Sequence, residues 1–144
     1  MSETLYLIRG LPGSGKSALA IQLGVPSVSA DDYFYHDGVY VFDPTLLAEA
    51  HGESLRSAEL ELRRGGSVAV ANTFTCRWEM EPYLCMVKRY GQRVVVIDLY
   101  DRGLTNSELA EANSHGVPVE SIAAMRSRYE FDWKSADPLP PWER

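Results

Sequence analysis

The segment Gly10-Leu-Pro-Gly-Ser-Gly-Lys16-Ser17 decides the fold of this 144-residue chain. It matches the pattern G-x-x-x-x-G-K-S/T of a phosphate-binding loop, or P-loop, at every fixed position. Gly13 and Gly15 allow the backbone to turn so that several N–H groups face one anion. The apolar run at residues 5–8 predicts a buried strand, and the pattern at residues 17–23 predicts a helix. A P-loop requires this strand–loop–helix context in order to bind phosphate.

The chemistry of such a loop calls for a triphosphate and a divalent cation. The Lys16 ammonium is expected between the β- and γ-phosphates, and the Ser17 hydroxyl is an oxygen ligand of the kind that Mg²⁺ prefers. We therefore predict that the chain binds ATP, or a related nucleoside triphosphate, together with Mg²⁺. The residues assigned to the nucleotide are Gly10, Leu11, Pro12, Gly13, Ser14, Gly15, Lys16, Ser17 and Ala18.

Strands alternate with helices along the rest of the chain. Further strands are predicted at residues 25–29, 67–71 and 93–99. Helices are predicted at residues 44–64, around Trp78 and on to Tyr90, at 105–114 and at 118–131. This alternation predicts an α/β fold with one central parallel sheet covered by helices on both faces. A short hairpin or flap is expected at residues 33–42, around the turn-forming pair Asp37-Gly38.

Loops at the carboxyl ends of the strands are the expected place for a ligand, because open parallel sheets bind ligands at that edge. Four loops are predicted to converge there, at residues 10–15, 31–33, 72–75 and 98–102. Together they are expected to form one site.

Acidic residues at this edge are candidates for catalysis and for metal binding. Asp31 and Asp32 follow the second strand, whereas the strand at 67–71 ends in alanine and asparagine. The acid nearest the γ-phosphate is therefore expected from this pair, with Asp98 as a second possibility. Such an acid accepts the proton of an attacking hydroxyl, orients that hydroxyl, or binds Mg²⁺. The alternative is that Asp32 caps a local turn and that neither acid is catalytic.

Composition limits the class of protein. Apolar residues make up 45% of the chain and charged residues 24%, as in soluble globular proteins. No apolar run reaches the roughly 20 residues that span a bilayer, so a cytoplasmic location without membrane contact is expected. The net charge of −6 argues against tight, non-specific binding to duplex nucleic acid, although a local groove can still be basic. One domain over residues 1–131 and a proline-rich tail over 132–144 are predicted.

Five segments carry a resemblance to a known family. They are residues 7–17, 29–34 (Ser-Ala-Asp-Asp-Tyr-Phe), Asn72-Thr73, 78–83 (Trp-Glu-Met-Glu-Pro-Tyr) and 115–118 (His-Gly-Val-Pro). In this order and spacing they resemble the small P-loop kinase-like domain of the Nedd-four-binding-protein-two-like family, over about residues 4–131. That family is similar to polynucleotide 5′-kinases and, more distantly, to zeta toxins and chloramphenicol phosphotransferase.

The resemblance implies a three-layer P-loop kinase fold with a helical lid at residues 106–118. It implies ATP-dependent transfer of the γ-phosphate to a hydroxyl. A polynucleotide or nucleotide 5′-hydroxyl is the leading acceptor, and a modified-base or small-molecule hydroxyl is the alternative. By motif matching, Asp31 takes the place of the general base beside Lys16. Arg128 matches the related pattern and either faces the nucleotide or is a solvated charge on its helix. Asp32 is assigned with Ser17 to Mg²⁺. A different class also stays open, a module that binds ATP but transfers phosphate slowly or not at all.

Three positions depart from the family pattern. Phe34 stands where polynucleotide kinases carry an arginine that grips the substrate phosphate. Ala71 stands where relatives usually carry an aspartate, and Ala112 where they usually carry an arginine. An arginine that acts on the transferred phosphoryl group contributes about 10³-fold or more to the rate. The candidates to replace it are Arg102, Arg126 and Arg128.

The role of several other side chains is left open by the sequence. Four flap aromatics either stack on a planar substrate or form a local cluster that closes the flap; these are Tyr33, Phe34, Tyr35 and Tyr40. Trp78 and Tyr83 are expected in the core. His115 is expected either to cap or turn the chain after a helix or to take part in catalysis.

Overall fold

The strand before the P-loop, Thr4–Gly10, is buried along nearly its whole length. Leu5 and Leu7 pack into one apolar core, whereas Ile8 packs into another on the opposite face. A strand that is apolar on both faces is typical of a parallel sheet covered by helices on both sides. The computed structural model, which describes residues 3–131, contains such a sheet.

The central sheet has four parallel strands in the order β2-β5-β1-β6. The strands are β1 (Thr4–Gly10), β2 (Ser27–Val28), β3 (Tyr35–His36), β4 (Val39–Tyr40), β5 (Val68–Ala71) and β6 (Arg93–Tyr100). The helices are α1 (Lys16–Gln22), α2 (Leu47–Arg63), α3 (Arg77–Tyr90), α4 (Asn106–Ala112) and α5 (Val119–Arg128). The predicted α/β fold with a central parallel sheet is confirmed.

Helices cover both faces of this sheet. On one face α2 and α3 contribute Leu62, Met80 and Tyr83 to a core with β1 and β5. On the other face α1 contributes Ala20, which packs against Ile8 of β1. The sheet and the helices on its two faces form the predicted three layers. The order of the strands places the carboxyl ends of β1, β2 and β5 side by side.

A flap, residues 33–42, lies beyond the end of β2. Its strands β3 and β4 pair in antiparallel register, with Tyr35 opposite Tyr40. Asp37 and Gly38 make the turn between them at positive φ, as the sequence pair predicts.

A lid, residues 106–118, follows β6. The Thr105 side chain accepts a hydrogen bond from the N–H of Glu108, and the Glu108 side chain accepts one from the N–H of Thr105, so this capping box begins α4. After α4 the side-chain oxygen of Asn113 accepts hydrogen bonds from the N–H groups of His115 and Val117. This one amide side chain therefore fixes the turn that carries His115.

Some element boundaries differ from the predictions. α2 begins at Leu47 because Asp43 first caps a short 3-10 turn, Pro44–Leu46. α3 continues through Pro82 without a break. Proline has no N–H to donate to the carbonyl of Trp78, four residues earlier, and both residues are exposed to solvent. α5 ends at Arg128, earlier than predicted, and the tail at 132–144 lies outside the described residues. Between residues 3 and 131, no helix is both long and apolar enough to cross a membrane.

Candidate active site

A cavity of about 680 Å³ opens at the carboxyl ends of the strands. Its volume is typical of a site for a small ligand, for which about 300–1,000 Å³ is usual. The P-loop, the turn after β2 and the end of β5 meet there, as predicted, together with the flap and the lid. The loop at 98–102 also lies at this edge, where the N–H of Leu11 donates to the carbonyl of Tyr100 (2.9 Å), but it does not line the cavity. This loop follows β6, which is the edge strand next to β1. Arg102 of the loop lies against the P-loop, where its Nη1 donates a hydrogen bond to the carbonyl oxygen of Ser14 (3.4 Å).

The P-loop has the conformation that its glycines allow. Gly13 and Gly15 lie at φ +84° and +95°, in the left-handed region that favours glycine. α1 starts directly after Gly15, and no side chain caps its first turn, so its first N–H groups remain available to an anion. A Cβ atom at Gly13 would collide with the carbonyl oxygen of Leu109. The loop therefore also packs closely against the lid.

The residues assigned to the nucleotide fall into two sets. Those that line the cavity are Pro12, Gly13, Gly15, Lys16, Ser17 and Ala18. Gly10, Leu11 and Ser14 do not line it and instead support the loop. Leu11 is fully buried in an apolar cluster with Leu109 and Ile122. The Ser14 hydroxyl is buried without a hydrogen-bond partner among the described residues.

The Lys16 ammonium lies beneath the loop. Its Nζ donates hydrogen bonds to the carbonyl oxygens of Gly10 (2.9 Å) and Leu11 (3.1 Å). Burial lowers the pKa of this amine from 10.5 to about 8, and the nearby Asp31 carboxylate opposes the shift. The two carbonyl dipoles stabilise the charged ammonium only in part. A bound phosphate would stabilise it further with a full negative charge.

Asp31 is the aspartate that the structure brings to the cavity. It lies in a short 3-10 turn, Ala30–Phe34, directly after β2. One carboxylate oxygen accepts a hydrogen bond from the Tyr40 hydroxyl (2.8 Å), and the other lies 3.4 Å from Nδ1 of His115. The rings of Tyr40 and His115 contact each other, with centroids 4.6 Å apart. Asp31 is thus held between the flap and the lid.

The Tyr40 hydroxyl stays a hydrogen-bond donor over the physiological range. Burial, followed by the hydrogen bond to Asp31, raises the pKa of Tyr40 above its ordinary value. A protonated phenol therefore faces the Asp31 carboxylate and restricts its orientation.

Asp32 follows Asp31 in the sequence but does not line the cavity. Its carboxylate accepts a hydrogen bond from the N–H of Ser29 (3.1 Å), and the Ser29 side chain accepts one from the N–H of Asp31. It borders a separate, smaller cavity of about 140 Å³. The assignment of Asp32 with Ser17 to Mg²⁺ is therefore corrected. Asp32 caps the turn that carries Asp31, which is the alternative role that the sequence left open.

Asp98 is also removed from the set of acids at the cavity. It forms an ion pair with the buried Arg9 (3.1 Å) and accepts a hydrogen bond from the Tyr129 hydroxyl (2.6 Å). Neither Arg9 nor Tyr129 lines the cavity, so Asp98 joins β6 to the last described residues and serves a structural purpose.

The three arginines considered for the transferred phosphate differ in their surroundings. Arg128 lines the cavity, and its Nε donates to the Thr75 hydroxyl (3.2 Å). Arg126 pairs with Asp101 (2.6 Å) and also donates to three other groups, so its guanidinium is fully engaged in holding α5. Arg102 does not line the cavity. Arg128 is the one that the structure brings to the site.

The three departures from the family pattern have distinct structural settings. Ala71 and Ala112 both line the cavity, where they bring no charge and leave space. Phe34 is only 1% exposed and packs edge-on against Tyr33, Tyr40 and Phe42. The flap aromatics were expected either to stack on a substrate or to form a local cluster. Phe34 belongs to a local cluster.

Trp78 contradicts the prediction that it belongs to the core. It is 63% exposed and lines the cavity, as does Phe42, which is 50% exposed. Tyr83, in contrast, is buried as predicted and donates a hydrogen bond to the Ser54 hydroxyl (2.8 Å). The available signal for Trp78 was its place at the start of a helix just after β5, at the sheet edge where ligands bind.

Mg²⁺ fits this cavity as an ion that arrives with the nucleotide. Ser17 and Asp31 line the cavity and offer oxygen ligands. No group of three or more His, Cys, Asp or Glu side chains that could hold a metal occurs within residues 3–131. Mg²⁺ in phosphate sites keeps several waters and uses one or two protein oxygens together with the phosphates, so this sparse donor set is suitable.

Comparison with known proteins gives a family and a close relative in sequence. A family model described as an AAA domain matches residues 5–131. Human NEDD4-binding protein 2 is 39% identical over 134 residues, which cover 88% of this chain. The chain spans 8% of the length of that relative.

Solved structures of similar fold include kinases. A putative kinase from Chloroflexus aurantiacus superimposes with a TM-score of 0.66 at 20% identity, covering 98% of this chain and 84% of the other. A chain of the Pnkp1/Rnl/Hen1 RNA repair complex gives a TM-score of 0.65 at 18% identity, covering 96% of this chain and 48% of the other. These likenesses confirm the P-loop kinase type of fold. Because the family model matches nearly all of the described residues, the chain belongs to the AAA domain family, and within it has the fold of a small P-loop kinase.

Proposed function

We propose that the protein is an ATP-dependent phosphotransferase that moves the γ-phosphate to the 5′-hydroxyl of a nucleotide or polynucleotide. The observation that carries this proposal is the position of Asp31, which lines the same cavity as Lys16 and Ser17. A loop that only held a nucleotide would not require an oriented carboxylate beside it, whereas activation of a hydroxyl does.

In the proposed reaction the acceptor hydroxyl attacks the γ-phosphorus. Its proton passes to the Asp31 carboxylate, a new P–O bond forms, and the bond from the γ-phosphorus to the β–γ bridging oxygen breaks to leave ADP. Lys16 neutralises charge on the β- and γ-phosphates, and Arg128 at the cavity wall contacts the transferred group. Mg²⁺, held by Ser17 and the phosphates, supplies further neutralisation when bound.

The choice of a nucleotide or nucleic acid hydroxyl is supported by the family resemblance. The segments at 29–34 and 115–118 resemble the Nedd-four-binding-protein-two-like family, which is itself similar to polynucleotide 5′-kinases, and they supply the carboxylate and the histidine that meet in the cavity. The RNA repair complex with a similar chain is also compatible with such an acceptor.

The proposal is tested with γ-labelled ATP and a panel of hydroxyl acceptors. Asp31→Asn keeps the size of the side chain but cannot accept the proton, so we expect transfer to fall by about 10²-fold or more while ATP affinity stays within about threefold. Asp32→Asn is the matched control, since the Asp32 side chain does not line the cavity and an asparagine oxygen can still accept the hydrogen bond from the N–H of Ser29; it should retain most activity. Transfer by Asp31→Asn at the rate of the unmodified protein would refute the role of Asp31.

A second candidate function is a nucleotide-binding module without transferase activity. It is favoured by Ala71 and Ala112, which leave two cavity positions without the charged groups that the resemblance leads one to expect. Calorimetry separates the two functions: tight ATP binding without labelled product from any acceptor would support the binding module.

A further inference from the structure

We propose that the acceptor is a nucleoside-type compound whose base stacks on Phe42 and Trp78, with no requirement for a phosphate beside the reacting hydroxyl. This inference rests on the proposed phosphotransferase function and narrows its acceptor. It follows from the position, the exposure and the charge of the residues on one side of the cavity.

The order of the sheet defines the acceptor side. β2 and β5 lie on the same side of β1, so the segments that follow them border the cavity on one side of the P-loop. Those segments carry Asp31, Phe42, His51 and Trp78. A hydroxyl activated by Asp31 therefore brings its remaining substituents to this side.

Two aromatic side chains on this side are free to receive a planar group. Phe42 and Trp78 keep half or more of their surface exposed although they line a cavity. Phe34 supports Phe42 from within the flap, with ring centroids 5.1 Å apart. Tyr33 and Tyr40, in contrast, use their hydroxyls in hydrogen bonds to carboxylates. Exposed aromatic rings at a ligand cavity are suited to stacking, which tolerates any base because every base has a π-face.

Between residues 3 and 131, the same side offers no lysine or arginine for a phosphate on the acceptor; its basic side chains are the histidines His51 and His115. Among the described residues that line the cavity, Lys16 and Arg128 are the only lysine or arginine. Lys16 belongs to the P-loop, and Arg128 is assigned to the transferred group. Two acidic residues, Asp31 and Glu79, line the same space, although the Glu79 carboxylate also accepts hydrogen bonds from Thr75 and Cys76. A phosphate beside the reacting hydroxyl would therefore meet negative charge without the forked donors that bind phosphate well.

A nucleoside and the unpaired 5′ end of a single strand share the required chemistry. In both, the base is free to stack while the sugar hydroxyl reaches Asp31. The terminal base of a duplex is paired and stacked within its own helix, so a duplex end lacks this freedom.

The test compares four acceptors with γ-labelled ATP: a nucleoside, its 3′-monophosphate, a short single strand with a 5′-hydroxyl, and ribose. We expect kcat/KM for the nucleoside and its 3′-monophosphate to agree within about threefold, and ribose to be at least about tenfold poorer. A single strand that agrees with the nucleoside within about threefold supports a base site that does not contact the backbone. A single strand more than about tenfold better than the nucleoside would show that its 3′-phosphodiester is recognised and would overturn the inference, whereas the reverse identifies the free nucleoside as the acceptor.

Variants of the two rings give the second arm of the test. Trp78→Ala and Phe42→Ala should each raise KM for the nucleoside by about tenfold with little change in kcat. Trp78→Phe and Phe42→Tyr should restore it. Phe131→Ala is the control, since Phe131 is 57% exposed but does not line the cavity, and it should leave KM unchanged.

Specific outcomes overturn this inference. One is a preference of more than tenfold for the 3′-monophosphate over the nucleoside that is lost in Arg128→Ala. Another is a KM for the nucleoside that is unchanged in both Trp78→Ala and Phe42→Ala. Nucleoside binding is followed separately through the fluorescence that Trp78→Phe removes. Quenching of that fluorescence without product from any acceptor would refute the transferase while supporting the base site, and product formation unaffected by either alanine variant would refute the base site alone.

Discussion

Nδ1 of His115 lies 3.4 Å from a carboxylate oxygen of Asp31 and so connects the lid to the proposed catalytic acid. Removal of this contact leaves Asp31 with Tyr40 as its orienting partner, and the carboxylate gains freedom to turn away from the acceptor. We expect His115→Ala to lower kcat by about tenfold, because misorientation of a general base weakens proton transfer. ATP affinity, measured by calorimetry, should change by less than about threefold.

His36→Ala is the matched control for that change. His36 is exposed on the flap hairpin and does not line the cavity. A loss of kcat in His36→Ala equal to that in His115→Ala would show that the effect comes from a general disturbance of the flap or lid.

The lowered pKa of Lys16 makes nucleotide affinity depend on pH. Bound phosphates favour the charged amine, so above about pH 8 ATP binding must also take up a proton. We expect affinity to be constant below about pH 8 and to fall as pH rises toward 10, by up to about tenfold per pH unit. Calorimetry at pH 9 in two buffers of different ionisation enthalpy measures the proton uptake.

Lys16→Met removes the group responsible for this dependence. It should weaken ATP binding by about tenfold or more and abolish the uptake; persistence of the uptake would assign it to another group. The free protein should show the opposite trend in stability. In the folded protein the pKa of Lys16 is about 8, below the value of 10.5 in the unfolded chain. Between these two pH values the unfolded chain binds more protons, so the free energy of unfolding rises with pH in that window.

Gly13→Ala should destabilise the protein through the lid. The substitution combines the strain of a positive φ, about 1–2 kcal/mol, with a collision against the carbonyl of Leu109 that adds about 1–3 kcal/mol. Gly24→Ala isolates the first contribution, since Gly24 also has a positive φ but nothing lies within 4 Å of its added Cβ. Urea unfolding should give a clearly larger loss for Gly13→Ala, and equal losses would mean that the lid moves aside at no cost.

Arg9→Met should cost about 3 kcal/mol of unfolding free energy. The Arg9 guanidinium is buried, pairs with Asp98 and donates to three backbone carbonyls, of which, among the described residues, only that of Thr75 would keep a second hydrogen bond, from the N–H of Glu130. Arg63→Met is the control, because Arg63 lies at the surface and its ion pair with Glu59 is 3.9 Å long. It should stay within about 0.5 kcal/mol of the unmodified protein in urea unfolding.

The fold could be predicted because its determinants are local in sequence. The P-loop motif sets one strand and one helix, and the alternation of short apolar runs with longer amphipathic segments sets the rest. The order of the strands is not local, since it depends on which backbones pair. For that reason the sequence does not tell which loops at this edge line the cavity: the loop after β6 contacts the P-loop beside β1 but does not line the cavity.

The side chains of the site were harder to predict than the loops that carry them. Asp31 and Asp32 are adjacent, and only the turn capped by Ser29 decides which of them lines the cavity. Trp78 was assigned to the core because large aromatic side chains are usually buried. Its position on the first turn of α3 leaves it at the cavity instead, a consequence of tertiary packing that local pattern does not contain.

Leu11 belongs to the P-loop, yet its side chain completes the apolar cluster formed by α4 and α5. If those helices swing outward, they must either expose Leu11 to water or pull the loop with them. The affinity of the loop for phosphate and the equilibrium between closed and open helices are therefore coupled. Phosphate binding shifts that equilibrium by the same factor by which closure of the helices raises the affinity. A substitution that tightens the packing of α5 at Ile122 would therefore raise the affinity for nucleotide, although it never touches the nucleotide.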